Sequence, residues 1–370
     1  LRGGSWLAAR SRSASPALAL AQMARAPRQS VRMILLLALA SSFAIFTLAF
    51  TASQAQRTTD VSAYQVGADF SGTIPYTIVL PQQLAHETAV YRSIPGVTSA
   101  SLGYTTIVKA GGIALQIRIN LRAVDADTYA STAIWPTQDS AQELPTLMAS
   151  LSTQRAASIA HKVVPAVVDA ATWNALHLRA GANFTVDFSQ VDYATNLVHF
   201  IAVAQVQDIP TANANTGILV DYLTFANVYA NSYANPQDFY IPANYVWLRT
   251  KSDPASLASV RNTLNNVDLG LSPLYDRRAL MNSLISEPLY LDLNGVLALG
   301  AATALLLAVV GNLIASWLSA RSRLTNFAVL RALGASPRQI ASTLGWEQGI
   351  IYTTSLLMGI VFGMLLSALV

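Results

Sequence analysis

Three stretches of the chain hold no charged residue: Met33 to Ser53, Leu293 to Leu318, and about Gly349 to Val370. A helix rises about 1.5 Å per residue, so some 20 apolar residues cross a hydrocarbon core of about 30 Å. Transmembrane helices are therefore predicted over 33–53, 293–318 and 347–370. A buried core helix is the other reading of any single run, but three such runs together argue for a membrane. Between the first and second runs the pattern shortens, and alternating strands mix with amphipathic helices.

Residues 54–291 read as a large external segment. A strand is predicted over Tyr76–Leu80, followed by a helix from Gln82 to Arg92 that ends before Pro95-Gly96. Val97–Val108 and Ile113–Val124 then read as a hairpin around Gly111-Gly112. The unit recurs late, with a strand over Tyr245–Arg249, a helix over Pro254–Leu264, a strand over Leu271–Tyr275 and a helix from about Arg277. In the middle, Val163–Val168 is a strand and Asp169 caps a short helix through Leu176. Phe184–Phe188 and Leu197–Gln207 form a ribbon. Residues 131–158 and 211–243, rich in Ala, Asn, Ser, Thr and Tyr, read as long loops or insertions. The expectation is an α+β domain with a membrane-proximal part from about 60–130 and 244–288, and a distal part from about 131–243.

Charge placement orients the segments. Of 19 acidic residues, all but Glu347 lie between Asp60 and Asp292. Residues 1–32 and 319–346 carry ten arginines and no lysine. The formal net charge of +4 is thus concentrated at the flanks of the apolar runs. That is the positive-inside bias rather than a nucleic-acid footprint. It places 1–32 and 319–346 in the cytoplasm and 54–291 outside the cell membrane. Composition agrees: 53% of residues are hydrophobic and 11% charged, outside ordinary soluble usage. There is no cysteine, which excludes a disulfide framework and cysteine–metal sites. A cleaved signal peptide, with Thr51-Ala-Ser53 as its small residues, is the rival for the first run. The arginine-rich leader is too long for that, and the apolar run exceeds a typical signal core. Residues 1–14 read as a linker. Ser15-Pro16 opens a short helix that lies in the cytoplasmic interface, with a frayed tail as the alternative. The chain starts without Met and stops at the end of a span, so it reads as a segment of a longer protein.

No catalytic constellation is found. A Gly-x-x-x-x-Gly-Lys phosphate loop is missing, and the lysines, Lys109, Lys162 and Lys251, are all external. The histidines, His86, His161, His177 and His199, have no metal-ligand spacing. Asp125 and Asp127 follow a strand, where a turn role is expected. The expectation is no catalytic residue, no metal site and no cofactor in this chain.

The informative element is the basic stretch Arg321 to Glu347. Leu324, Phe327, Ala328, Leu330 and Leu333 predict one helix, and Gly334 stops it by supplying a left-handed position. Ser336-Pro337-Arg338-Gln339 starts the next helix, with Ser336 as cap, Pro337 at the first turn and Gln339 completing a capping box. The product is a bent helix pair, with an apolar side for the bundle and a basic side for the cytosol. An interface-anchored turn without a partner is the alternative. Glu347, at the start of the third span, is expected to form a hydrogen bond or ion pair, with an arginine of the loop as one partner. Gly359 and Gly363 form a Gly-x-x-x-Gly, and Gly300 with Ala304 a looser small-residue pair; both permit close helix approach. Asn312 and Ser316 are placed to bridge to a neighbouring helix.

Phe327 to Ser336, Gln339-Ile340 and Glu347 match, in order and spacing, the signature loop of FtsX-like permeases, the transmembrane subunits of MacB-type ABC transporters. The stretch resembles that family most closely here, with Asn326 standing where the family usually has Glu. Leu18 to Pro27 and the strand pattern from Val163 to Asp169, with Leu178 to Gly181 and His199 to Val206, resemble it more weakly. The resemblance implies a four-span repeat of which this chain shows three, the fourth being missing. It implies a coupling loop that docks on a cytoplasmic ABC ATPase, which binds ATP and Mg. Docking residues are then Arg331, Ala332, Leu333, Gly334, Ala335, Ser336 and Arg338. It also implies a second permease copy or repeat, as homodimer, heterodimer or tandem. Membrane lipid and an extracytoplasmic protein are further partners.

The fold class expected is thus membrane α-helical with a large α+β extracytoplasmic domain. The function expected is coupling of ATP hydrolysis in a partner to external work, by export of a lipophilic or peptide substrate or by lipoprotein release. The alternatives are a non-transporting mechanotransmitter that activates an extracellular partner such as a cell-wall hydrolase, and a membrane sensor or receptor.

Overall fold

The structure is a computed structural model that describes all residues except 1–22, 24–26, 76–77, 113–114, 137, 139, 190–196, 212–215, 233–240, 267, 333, 335 and 370. The expected interfacial helix after Ser15 lies outside the described residues, save for the helical Met23. The chain divides into two compact units, Thr58–Leu284 and Leu1–Arg57 with Ile285–Val370. Its first described long helix, α1 (Pro27–Val66), runs unbroken well past the apolar run that ends at Ser53.

The mixed unit is built on β1 (Phe70–Thr73), β2 (Val97–Gly112), β3 (Leu115–Val124), β4 (Val163–Asp169), β5 (Asn183–Asp187), β6 (Leu197–Val206), β7 (Gly217–Asp221), β8 (Tyr245–Thr250) and β9 (Leu274–Asp276). Among the described residues these strands form one sheet, ordered β3-β7-β4-β6-β5-β2-β8-β1-β9, with β2 also pairing β3. The extra pairing closes a ring from β3 through β7, β4, β6 and β5 to β2. The length of β2 makes this possible: Val97 to Gly103 lie against β8, while Gly103 to Gly112 lie against β3. Strands from both expected subregions therefore share a single sheet.

The period of two divides the side chains between two cores. Ile218 and Val220 join a cluster with Phe184, Phe200 and Phe225 on one face, while Leu219 joins Tyr129, Leu147 and Trp247 on the other. β4 splits in the same way, with Val164, Ala166 and Val168 on one face and Val167 on the other. A strand buried on both faces reads as a continuous apolar run, as both of these do. The helices α2 (Leu84–Arg92), α3 (Ala126–Thr132), α4 (Leu144–Thr153), α5 (Arg155–His161), α6 (Ala170–Ala175), α7 (Tyr222–Ala230), α8 (Pro254–Leu264) and α9 (Arg277–Ile285) complete the unit.

Four of these helices open on an aspartate that ends or follows a strand. Asp125, Asp169, Asp221 and Asp253 accept from the backbone N–H of Asp127, Thr172, Thr224 and Ser256 at 3.2, 2.7, 2.9 and 2.9 Å. Each satisfies a donor that the first helical turn leaves open. Asp125 also accepts from the Thr128 hydroxyl at 2.7 Å, so the strand-end carboxylate is a cap.

Several expectations are corrected here. Residues 131–158 and 211–243 are not simply loops, since they contribute α4, the start of α5, β7 and α7. The reason is burial, because β7 is only five residues long and every one of them is buried. The expected strand Tyr76–Leu80 reduces, in its described part, to one bridge between Val79 and Ala243. The late strand sits over Leu274–Asp276 rather than Leu271–Tyr275. Gly111 and Gly112 lie within β2, opposite Gln116 and Leu115.

In the helical unit, α10 (Pro288–Ser322), α11 (Leu324–Ala332) and α12 (Pro337–Ser367) follow in order. Three helices, Ser30–Val66, Pro288–Ser322 and Pro337–Ser367, are long and apolar enough to cross a membrane. The fold is thus three candidate membrane helices with a large mixed α/β domain, as expected.

The buried positions of α12 are Thr343, Glu347, Ile351, Ser355, Gly359 and Gly363, one every four residues. This row meets α1 at its small end. A Cβ on Gly359 would fall against Ser41 and Ala38, and one on Gly363 would lie 2.8 Å from Ile45. Only the bare backbone allows that approach. Nearer the loop, Ile351 packs with Met23 and Met33.

Candidate functional site

The loop between α10 and α12 is the site that the sequence singles out. α10 ends at Ser322, the chain turns at Arg323, and α11 begins at Leu324. Past α11, Gly334 adopts φ +93°, a conformation that an L side chain rarely takes. An added Cβ there would meet nothing within 4 Å, so the backbone angle, rather than space, calls for glycine. Ser336 then caps α12: its hydroxyl accepts from Gln339 N at 3.3 Å, while Gln339 Oε1 accepts from Ser336 N at 2.9 Å. Pro337 fills the first turn, where no N–H is needed. Two helices are thereby joined through one left-handed residue and a reciprocal cap.

Beneath the loop lies a polar anchor. Arg323 Nη1 donates to both oxygens of Glu347, at 3.3 and 3.1 Å. The side chains are 16% and 8% exposed, so the pair is shielded from solvent and each charge depends on the other. Next to it, Gln348 Nε2 donates to Ser316 Oγ at 2.8 Å, tying α12 to α10. Arg321 lies over the Trp317 ring at 5.6 Å, in cation–π range. Ser30 and Met33 of α1, with Ser319, Ala320 and Leu344, line a small polar cleft around this anchor.

Arg331, Ala332, Gly334, Ser336 and Arg338 are exposed. Neither Arg331 nor Arg338 forms an ion pair among the described residues. Leu333 and Ala335 lie outside the described residues. Of the residues expected to turn the apolar side of α11 to the bundle, Leu324 is 62% exposed, Ala328 is exposed and Phe327 is half-buried, while the Leu330 and Leu333 side chains lie outside the described ones. The left-handed turn at Gly334 and the break at Arg323 set α11 off from both flanking helices. Gly300 faces the Phe43 ring, and Gly359 and Gly363 face α1. Ser316 bridges to a neighbouring helix, whereas neither amide atom of Asn312 has a hydrogen-bond partner among the described residues.

Arg323 is the residue that sequence reasoning had not singled out. Its signal was indirect: Glu347 is the lone acid beyond Asp292, and it sits beside an arginine-rich loop. No group of three or more His, Cys, Asp or Glu among the described residues could hold a metal ion.

Residues 298–370 match the family model described as FtsX-like permease C-terminal. The FtsX-like segment therefore contains the whole loop, the anchor pair and α12, and it meets the family expectation drawn from the loop residues. Among solved structures, the chain is similar to the periplasmic region of MacB from Actinobacillus actinomycetemcomitans. That match has 9% identity and a TM-score of 0.35, covering 60% of this chain and 95% of that one. It is also similar to the extracellular domain of the noncanonic ABC-type transporter YknZ from Gram-positive bacteria. Here the identity is 11% and the TM-score 0.32, covering 55% of this chain and 97% of that one. No curated protein matches the chain by sequence.

Proposed function

We propose that the chain is part of the membrane permease of an ABC transporter of the FtsX/MacB type, with the α11–Gly334–α12 loop as its coupling element. A separate cytoplasmic ATPase binds ATP and Mg and docks on this loop. A second permease copy or repeat completes the assembly, and residues 54–291 work outside the membrane. The observation that carries the reading is the loop itself. It lies inside the FtsX-like segment, it is rigidly capped at Ser336, and it presents Arg331 and Arg338 exposed, with no ion-pair partner among the described residues. Such surface arginines suit acidic groups on a docking partner. The anchor Arg323–Glu347 holds the foot of the loop, so that a push on α11 reaches α10 and α12 together.

Export of a lipophilic or peptide substrate, or lipoprotein release, is the work that the transport reading assigns. A second reading uses the same loop without transport, to change the external domain and activate an extracellular partner. The unbroken helix α1 favours keeping it, because a continuous helix carries a displacement along its length.

Co-purification of the membrane-inserted full chain with its ATPase tests the docking assignment. Gly334→Pro with Arg331→Glu removes the left-handed turn and reverses one charge. Loss of the ATPase with normal membrane insertion is the expected result, and undiminished co-purification overturns the assignment.

A further inference from the structure

A groove of about 880 Å³ runs between α1 and α10. Gly300 faces Phe43, and Ala315 packs in the cluster around Met33, so the two helices run antiparallel along it. Arg32 and Asn312 both line the groove, and this register brings them to the same end of it. Away from that end the lining is apolar, with Leu36, Leu39, Phe43 and Leu307.

The polar end is unfinished. Asn312 is 5% exposed, yet among the described residues neither its amide nitrogen nor its oxygen has a hydrogen-bond partner. An amide left bare among apolar groups is costly, so an occupant that bonds it is favoured. Arg32 is exposed and forms no ion pair among the described residues. The acid at this end of the unit, Glu347, is already held by Arg323.

We propose that this groove is a binding site for an anionic membrane phospholipid. The headgroup phosphate pairs with Arg32, a glycerol-ester oxygen accepts from the Asn312 amide, and an acyl chain lies along Leu36, Leu39 and Phe43. Cationic pockets between membrane helices take anionic headgroups by this combination of charge and apolar contact. A helix from a second copy fits the groove less well. The three uncharged runs of this chain bring no carboxylate to Arg32, so its charge would stay unpaired. The site requires that α1 and α10 lie in a bilayer, and it does not depend on whether an ATPase docks on the loop.

Native mass spectrometry of the delipidated full chain in mild detergent tests the proposal. The probes are phosphatidylglycerol, phosphatidylcholine with the same acyl chains, and glycerol 3-phosphate. Wild type is expected to retain phosphatidylglycerol about tenfold better than phosphatidylcholine, the worth of one hydrogen-bonded charge. Arg32→Gln removes that preference. Ala308→Trp fills the groove and removes retention of both lipids, while Leu313→Trp, outside the lining, leaves retention unchanged. The preference of Arg32→Gln is read without reference to the bulkier variants, so misfolding of Ala308→Trp does not blunt the test. A preference in Arg32→Gln equal to that of wild type overturns the site. Binding of glycerol 3-phosphate as tight as that of the lipid also overturns it, because a soluble phosphate is then the ligand. So does efficient disulfide linkage of two Ala308→Cys chains in vesicles, because a second copy then covers the groove.

Discussion

The two units of the chain invert each other. In Thr58–Leu284 the large side chains are inside: Trp247, Tyr129, Tyr222, Phe188, Phe200 and Phe225 are among the largest fully buried groups. In the helical unit most large apolar groups, Leu299, Leu306, Leu307 and Leu357 among them, are exposed, and beside a few buried ones such as Met33 and Ile351 the interior is small or polar. Ser41, Ser42, Ser355, Gly359 and Gly363 fill it instead. The difference records two solvents. Water drives large apolar groups into a core, whereas lipid tails are as apolar as leucine and leave close packing and hydrogen bonds to hold helices together. The same sequence therefore follows opposite rules on either side of Arg57 and Ile285.

The largest effect that can break this contrast is expected at Trp247. It is fully buried, packed edge-on to Tyr129 at 5.3 Å and beside Tyr245 at 4.8 Å. Trp247→Ala should destabilise the mixed unit by about 3–5 kcal/mol, read as a shift in its unfolding midpoint in detergent. A shift below about 1 kcal/mol would mean that this core is not the main support of the unit.

A smaller effect is expected from adding volume to the helical unit. Gly359→Leu should force α12 off α1 at Ser41 and cost about 1–3 kcal/mol, while Gly349→Leu, whose added Cβ meets nothing within 4 Å, should be neutral. Cysteine cross-linking between Ile45→Cys on α1 and Gly363→Cys on α12, which face each other, with and without Gly359→Leu, reads the separation. Unchanged cross-linking would deny close approach as the principle of that unit.

The smallest effect sharpens the contrast within the mixed unit. Burial raises Asp169 to about 6, against hydrogen bonds from Thr172 that favour its ionised form. A carboxyl whose folded value is raised holds its proton better in the folded state. Its contribution is therefore most favourable below the unfolded value near 4 and is lost as pH rises through about 6. Asp169→Asn keeps a capping oxygen and removes the charge. It should leave stability unchanged at pH 4 and raise it by about 1–2 kcal/mol at pH 7.5. An equal change at both pH values would show that the cap, rather than the charge, dominates.

Much of this was legible in the residues, and what was not has physical causes. The uncharged runs marked the spans because a water-soluble fold seldom keeps some 20 consecutive residues free of charge. Gly334 and the Ser336–Gln339 box marked the loop because caps and left-handed turns are local and restrict residue type. β7 was hidden, since five residues buried on both faces show no alternation, and the flanking Asn- and Ala-rich sequence looks like loop. The extension of α1 past Ser53 to Val66 was hidden for the opposite reason: its residues are polar, and polarity says where the bilayer stops, not where a helix does. The Arg323–Glu347 pair spans 24 residues, beyond any helical spacing, and only the return of α12 beside α10 brings it together.

The four-residue spacing of the buried row on α12 has a geometric corollary. Such a row is inclined to the helix axis by about 26°, so it drifts around the cylinder instead of running straight along it. Near the loop, Glu347 holds Arg323 just beyond the end of α10, while Ile351 packs with Met33 of α1, and Gly359 and Gly363 meet α1 further along. One helix thus keeps α1 beside it along much of its length and grips α10 near its foot. A displacement at the loop is therefore passed to both neighbours at once, to α10 at the foot and to α1 along the seam.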